Sequence, residues 1–557
     1  MTYLPDIREQ LLLLRNTAAL DASVLDDEML GSILDGVQSF ASGDWGQKEE
    51  VGEKEGVSVG LDGVTMPAGF PEVYQSFVAS GWGAVHAAEE FEGQGLPYSL
   101  ATSVFETLGT ANFSLTSCLT LTMGAIDALI VYGTDSQKSR FLPKMISGAW
   151  TGTMNLTEPQ AGSDVGALRT KATPREDGTW NIKGSKIFIS FGDHDLTENI
   201  IHLVLARTPG SPAGSRGISL FLVPKFRADE NGAFVVKNDV RAVSCEEKVG
   251  MHAAPTCVMA FGEQDDCIGE MIGEENAGLQ AMFAMMNSAR IGVGLQGVQL
   301  CEAATQKAVA YAKDRVQGQR NGQPVSIIEF PDVRRMLLRM KATTQAARAL
   351  IYYAAGCLDR AAEGSAADDA RLQLITPLAK TYCSEAGVEV ASLGIQVHGG
   401  LGYIEETGAA RYWRDARIAP IYEGTSGIQA QDLVERKLRA DGGKAFDALM
   451  SEILASVKHD QLKQLAQDCT KVAQHLLQSE KDDRLAGSYP FLVMFSVAVA
   501  GWLLEKQLQS LGDDAFGKAK AVTIRYFLDH MVPEASGLSQ AAKAGAGLFY
   551  ELDAEAF

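Results

Sequence analysis

The chain has 557 residues, 46% of them apolar and 21% charged. That excludes global disorder and, at roughly 100–200 residues per domain, predicts about three or four domains. Acidic residues outnumber basic ones by 70 to 49, a net charge of −21, and such a field repels a polyphosphate duplex, so any bound phosphate must be held by local Arg side chains, backbone N–H groups or helix N-termini.

Residues 1–150 read as a helical domain, with apolar residues at three-and-four spacing over 21–40, 74–91 and 100–132. The Gly- and Glu-rich stretch 43–69 reads as a loop or hairpin. Asp6 and Glu9 precede the short run Leu11 to Leu14, which does not fit a secretory signal, and a cytoplasmic location is expected. From Trp150 short β-type runs take over: 179–184, 187–191, 200–206, 218–223 and 257–261, separated by Gly, Pro, Asp and Asn clusters. They predict a small β-barrel-like domain over 151–273. Helical spacing returns over 278–313, 333–360, 371–392 and 427–439, predicting a helical bundle over 274–440, and an additional helical domain is expected over 441–557. The fold class is therefore α+β and multidomain. The longest apolar run, Phe491 to Leu504, falls short of the ~20 residues that span a bilayer, so a buried helix and no transmembrane segment are expected. Eight scattered cysteines without CxxC spacing read as reduced core thiols.

Two apparent motifs dissolve on inspection. Gly292-Val293-Gly294-Leu295-Gln296-Gly297 matches GxGxxG, but it lies inside a helical run instead of between a strand and a helix, so small residues for close helix packing are expected. His194, Glu198 and His202 are spaced by four, but His202 opens a β-type run, so no metal site is expected.

Two other segments carry chemistry. Gly152 to Asp164 joins the first helical domain to the β domain and offers hydroxyls and Gly-freed amides suited to a polar ring edge and a pyrophosphate; alone it is also compatible with any polar interdomain loop. In Ile421-Tyr422-Glu423-Gly424-Thr425-Ser426-Gly427 a lone carboxylate sits among apolar residues, where burial raises its pKa and makes it a better proton acceptor. The same segment reads as a capping loop, with Thr425 or Ser426 starting the next helix.

These two segments, in this order around a β domain, resemble the acyl-CoA dehydrogenase family. Lys186-Ile187-Phe188-Ile189-Ser190, Met286-Asn287-Ser288-Ala289-Arg290 and Gln396-Val397-His398-Gly399-Gly400-Leu401-Gly402 extend the resemblance over residues 70 to 440. The whole chain, extension included, most resembles the 3-methylmercaptopropionyl-CoA dehydrogenase-like subgroup.

The resemblance implies FAD-dependent α,β-dehydrogenation of an acyl-CoA thioester to a trans-2-enoyl-CoA, with 3-methylmercaptopropionyl-CoA or a short- or medium-chain acyl-CoA as substrate and electron-transfer flavoprotein as electron acceptor. Glu423 would be the catalytic base; some relatives carry the base at the position of Ala289, which cannot take a proton. Leu156, Thr157, Ser163, Phe188, Ser190, Arg315, Gln396, Gly399, Gly400 and Thr425 would bind the cofactor, with Arg315 reaching a partner subunit's flavin. Ser163, Asn287, Arg290 and Gly424 would contact substrate. Many relatives have Trp and Thr where Phe188 and Ser190 stand, and Gly427 replaces a common Gln. A homodimer is expected. An acyl-CoA oxidase is one alternative. A DNA-binding adaptive-response relative is another, but residues 441–557 hold 11 Lys+Arg against 16 Asp+Glu, a net of −5 that argues against nucleic acid.

Overall fold

A computed structural model describes residues 5–557, apart from the side chains of residues 283–287. The described residues form two compact units, one of Val37–Ala289 and the other of residues 5–36 together with Arg290–Phe557.

In the unit Val37–Ala289, helices Phe70–Ser80, Tyr98–Ala111, Phe113–Tyr132 and Asp135–Ile146 precede the strands. The apolar spacing predicts one helix over 100–132, but the chain breaks at Asn112. Its backbone is extended, and its side chain accepts from the Leu115 N–H (3.1 Å) and donates to the Trp45 carbonyl (2.9 Å). Such a cap satisfies amides that would otherwise be orphaned at a helix start. The expected loop or hairpin over 43–69 contains the helix Gly46–Glu55 and a short hairpin, Ser58–Gly60 with Gly63–Thr65.

The strands form one eight-stranded sheet in the order Val240–Cys245, Thr256–Phe261, Trp180–Ser190, Ile268–Ile272, Ser219–Pro224, Asn199–Ala206 and Trp150–Asn155, with Lys171–Pro174 branching off Trp180–Ser190. This corrects the barrel-like expectation: the sheet is open, and its two end strands do not pair. A barrel removes an exposed edge by closure; here the end strand Trp150–Asn155 is instead covered by helices. All six of its residues are buried, and Trp150 and Met154 share a core with Ala125, Leu129, Phe141 and Met145. The covering helix approaches closely enough that a Cβ on Gly152 would lie 2.5 Å from the Ala125 methyl.

In the second unit the long helices Gly278–Asp314 (from Arg290 on), Pro331–Ala362 and Ala366–His398 form the bundle. The GxGxxG segment is a helix crossing, as expected: a Cβ on Gly297 would lie 2.0 Å from the Cys383 carbonyl oxygen and one on Gly294 2.7 Å from that of Ala379. Helices Lys444–Ser456, Asp460–Gln478, Ser488–Leu508 and Ala515–Tyr526 make up most of residues 441–557. They pack onto the bundle, where Trp502 meets Tyr353 edge-on at 5.6 Å, and onto the N-terminal helix Ile7–Asn16 through the buried Lys520–Glu9 ion pair (2.6 Å). By length and composition Phe113–Tyr132 and Ser488–Leu508 reach what a membrane crossing needs, more than the run 491–504 suggests. Their windows are 67% and 78% buried inside the protein.

Candidate active site

Glu423 stands in the loop between helices Ala409–Ala416 and Ser426–Asp432. The loop ends in a cap, the Thr425 hydroxyl accepting from the Ile428 N–H at 3.2 Å. The capping reading of the segment therefore holds. Glu423 has φ +53° and Gly424 φ +88°, so a non-glycine residue is held in the left-handed region, a strain that persists only where surrounding contacts fix it. Those contacts come from three directions. Gln429 Nε2 donates to the Glu423 carbonyl (3.1 Å), the Ser426 N–H to the Pro420 carbonyl (3.0 Å), and the buried Lys380 ammonium to the carbonyls of Ala419 and Gly424 (2.8 Å each).

Burial raises the Glu423 pKa above the ordinary carboxylate value, and the cations of Arg290 and Lys380 partly oppose the rise. Burial likewise pushes the Lys380 ammonium down to about 8, with Glu423 pulling it back up. The Tyr422 hydroxyl donates to Gln296 Oε1. Arg290 is buried and pairs with buried Asp432 at 3.2 Å, so part of its charge is spent away from Glu423.

A second cluster lies in the other unit. Leu156 and Thr157 follow the end strand, and the Thr157 carbonyl accepts from the Ile187 N–H at 2.9 Å, which sets Thr157 beside the stretch holding Phe188 and Ser190. Phe188 sits in a β-bulge where the register slips between Cys257 and Met259. It has φ +59° and is 59% exposed, so its ring is turned out of the sheet. Ser190 is partly buried, and its carbonyl accepts from the Thr153 hydroxyl (2.6 Å). Ser163 is exposed, and the backbone at neighbouring Gly162 has open space around it.

Beneath this cluster lies a knot that the motif reading missed. Lys186 Nζ is 2.8 Å from Glu158 Oε1 and 3.0 Å from the Leu156 carbonyl, with both side chains buried. Glu158 also accepts from the N–H groups of Arg169 (2.6 Å) and Thr170 (3.0 Å) and from the Thr170 hydroxyl (2.6 Å). The ammonium and these donors hold the Glu158 carboxyl down at about 2 although burial acts the other way.

Arg315, Gln396, Gly399 and Gly400 do not join the Glu423 loop. Gln396 is sixteen residues beyond Lys380 on one helix, about 24 Å at 1.5 Å per residue. These four exposed residues share one end of the bundle, where Tyr311 stacks on His398 at 4.3 Å. Arg315 Nη2 donates to Gln317 at 3.1 Å. Asn287 lies outside the described side chains. His194 bonds Thr151 at 2.9 Å and His202 lies in the strand Asn199–Ala206; burial holds both imidazoles at about 3, hence neutral. Among the described residues no three His, Cys, Asp or Glu side chains are grouped as a metal site.

Comparison with known proteins gives a consistent assignment along the chain. Residues 61–149, 153–263 and 276–438 match the family models "Acyl-CoA dehydrogenase, N-terminal domain", "middle domain" and "C-terminal domain". Residues 440–553 match "Acetyl-CoA dehydrogenase C-terminal like". The chain is 44% identical over 518 residues, 87% of each chain, to a 3-methylmercaptopropionyl-CoA dehydrogenase of Ruegeria pomeroyi. It is 34% identical over 537 residues to a butyryl-CoA dehydrogenase of Syntrophomonas wolfei, covering 89% of this chain and 88% of the relative. An acyl-CoA dehydrogenase from Bacillus anthracis, solved in complex with FAD, shares the fold over 97% of this chain and 89% of its own, with TM-score 0.74 at 19% identity.

Proposed function

We propose that this chain, which belongs to the acyl-CoA dehydrogenase family, oxidises a short or medium acyl-CoA, 3-methylmercaptopropionyl-CoA foremost, with Glu423 as its catalytic base. The observation that carries the assignment is the Glu423 loop itself. A partly buried carboxylate of raised pKa is fixed in a left-handed turn beside two cations, in a protein of this family.

The α-C–H of a thioester is a weak acid, so removing its proton needs a base stronger than an ordinary carboxylate and fixed donors for the developing enolate oxygen. Burial supplies the first, by raising the Glu423 pKa. The second falls to backbone N–H groups of the loop, held in one orientation by the bonds to the Glu423 and Gly424 carbonyls. Ala289, at the other position where relatives carry a base, has only a methyl group.

FAD is the family's cofactor, and the residues of the β unit fit it. Thr157 and Ser190 offer polar groups for a ring edge, the out-turned Phe188 ring an apolar wall, and the open backbone at Gly162 and Ser163 amides for a pyrophosphate. Bound there, the flavin would supply the acceptor for the β-hydride. Leu156 backs Thr157, while Arg290, Asn287, Gly424 and Ser163 contact substrate. Arg315, Gln396, Gly399 and Gly400, exposed together at one end of the bundle, serve the partner's flavin in a homodimer, Arg315 as a planar fork matched to phosphate. Thr425 contributes a further cofactor contact. Electron-transfer flavoprotein takes the electrons onward.

A panel of acyl-CoA thioesters assayed with a ferrocenium acceptor, with peroxide measured in parallel, tests the reading. The expected result is highest kcat/KM for 3-methylmercaptopropionyl-CoA or another short- or medium-chain acyl-CoA, with little peroxide. Rapid stoichiometric peroxide would make it an oxidase, and no turnover with any thioester would refute it.

A further inference from the structure

Lys380 has no role in the chemistry assigned so far, yet it is among the largest fully buried side chains of the protein, at 0% exposure. Moving an ammonium out of water is costly and is tolerated where its donors are matched. Its hydrogen-bond partners among the described residues are two backbone carbonyls, Ala419 and Gly424, each at 2.8 Å. Those carbonyls stand on either side of residues 420–423. One side chain, anchored mid-helix in Ala366–His398, therefore ties both flanks of the loop that presents Glu423. Gln429 holds the next carbonyl back, that of Glu423. The left-handed backbone at Glu423, a non-glycine residue, needs such external restraint.

We propose that Lys380 is a positioning residue for proton abstraction: its ammonium staples the loop through the Ala419 and Gly424 carbonyls and so fixes where the Glu423 carboxylate stands. The inference rests on Glu423 being the base. A looser loop still binds thioester through contacts elsewhere but loses the alignment of the carboxylate with the α-proton, and misplacement by an ångström costs on the order of 100-fold in rate. The loss therefore falls on kcat and not on KM.

The ammonium also acts by its charge. The groups that bear on Glu423 are Arg290 from helix Gly278–Asp314, Lys380 from Ala366–His398 and neighbouring Tyr422; Asp432 and Arg436 act on Arg290, and Glu385 acts on Lys380. Removing the Lys380 cation removes one of the two influences that lower the Glu423 pKa, so the acidic limb of the kcat profile moves to higher pH.

The test compares Lys380→Met, Lys380→Gln and Lys380→Arg in the full-length holoenzyme. Lys380→Met is expected to keep bound flavin, to lose about 100-fold in kcat with KM nearly unchanged, and to show the raised acidic limb. Lys380→Arg, which keeps the charge and the donors, should keep the wild-type limb and recover part of kcat. Lys380→Met with wild-type kcat and pH profile overturns the inference. If Lys380→Met does not fold, the Gln and Arg variants decide: a limb raised in Gln but not in Arg supports it, and identical limbs overturn it. Glu423→Gln separates the two levels. If that variant stays active the base assignment itself fails, whereas if it is inactive while Lys380→Met is unaffected only the role of Lys380 fails.

Discussion

Lys186→Met removes one partner of the buried knot beneath the Thr157 loop. The pair is 2.8 Å apart with side chains 0% and 4% exposed, and leaving one charge of a buried pair alone costs about 3–5 kcal/mol. Glu158 would keep its three donors from Arg169 and Thr170, which places the loss toward the lower end. At roughly 2–4 °C per kcal/mol for a unit of this size, a loss of about 3 kcal/mol should lower the melting transition of Val37–Ala289 by about 6–12 °C. Because Lys186 also holds the Leu156 carbonyl at 3.0 Å, flavin should leave earlier than the bulk unfolds. Differential scanning fluorimetry, read through both tryptophan and released flavin, measures both effects. In Lys186→Met with Glu158→Gln, part of the loss should return because the orphaned charge is gone. A Lys186→Met protein melting within about 2 °C of wild type, less than 1 kcal/mol, would refute the reasoning.

Three further outcomes follow from the same structure. Glu158 is depressed from 4.5 to about 2, so its contribution to stability is complete above pH 4.5 and is lost as pH falls toward 2; acid unfolding of Glu158→Gln should be less steep in that window, and identical curves would contradict the pairing. Of the eight cysteines, only Cys245 is not buried, and its thiol pKa is lowered, chiefly by its contact with Cys257 Sγ at 3.7 Å. Mass spectrometry after native iodoacetamide treatment should find Cys245 modified first, and a different first site would contradict this. Lys520→Met strands the buried Glu9 carboxylate, about 3–5 kcal/mol; residues 441–557 should become the first trypsin-sensitive part of the chain, and unchanged cleavage would show that the pair does not secure them.

What the sequence made legible was periodic and local. The long helices and the strands 200–206, 218–223 and 257–261 appear where their spacing predicts them, since one face or both must be buried. The runs 179–184 and 187–191 prove to be one strand, Trp180–Ser190, with a bulge at Phe188. The break at Asn112 was hidden because apolar spacing continues across it; the cap bond to the Leu115 N–H is local, but the Trp45 carbonyl that also anchors the side chain is 67 residues away. The end strand Trp150–Asn155 shares its core with helical residues, a contact no strand pattern encodes. Glu423 stood out as a carboxylate in an apolar setting. Lys380 did not, because a lysine in a helical run looks like a solvated face until the carbonyls 39 and 44 residues later are seen to receive it. Asp432 was hidden in part: one ion-pair partner, Arg436, lies a helical turn away, but the other, Arg290, is 142 residues away.

The proposed chemistry turns on Glu423 taking the α-proton. Its most direct test is stopped-flow reduction of the bound flavin by 3-methylmercaptopropionyl-CoA and by butyryl-CoA, in wild type and in Glu423→Gln. The substitution keeps size and hydrogen-bonding capacity but removes the proton-accepting charge. The variant should carry a full complement of FAD, bind thioester, and reduce flavin slower than wild type by about 100-fold or more, the usual minimum contribution of a general base. Flavin reduction at a near wild-type rate would contradict the claim.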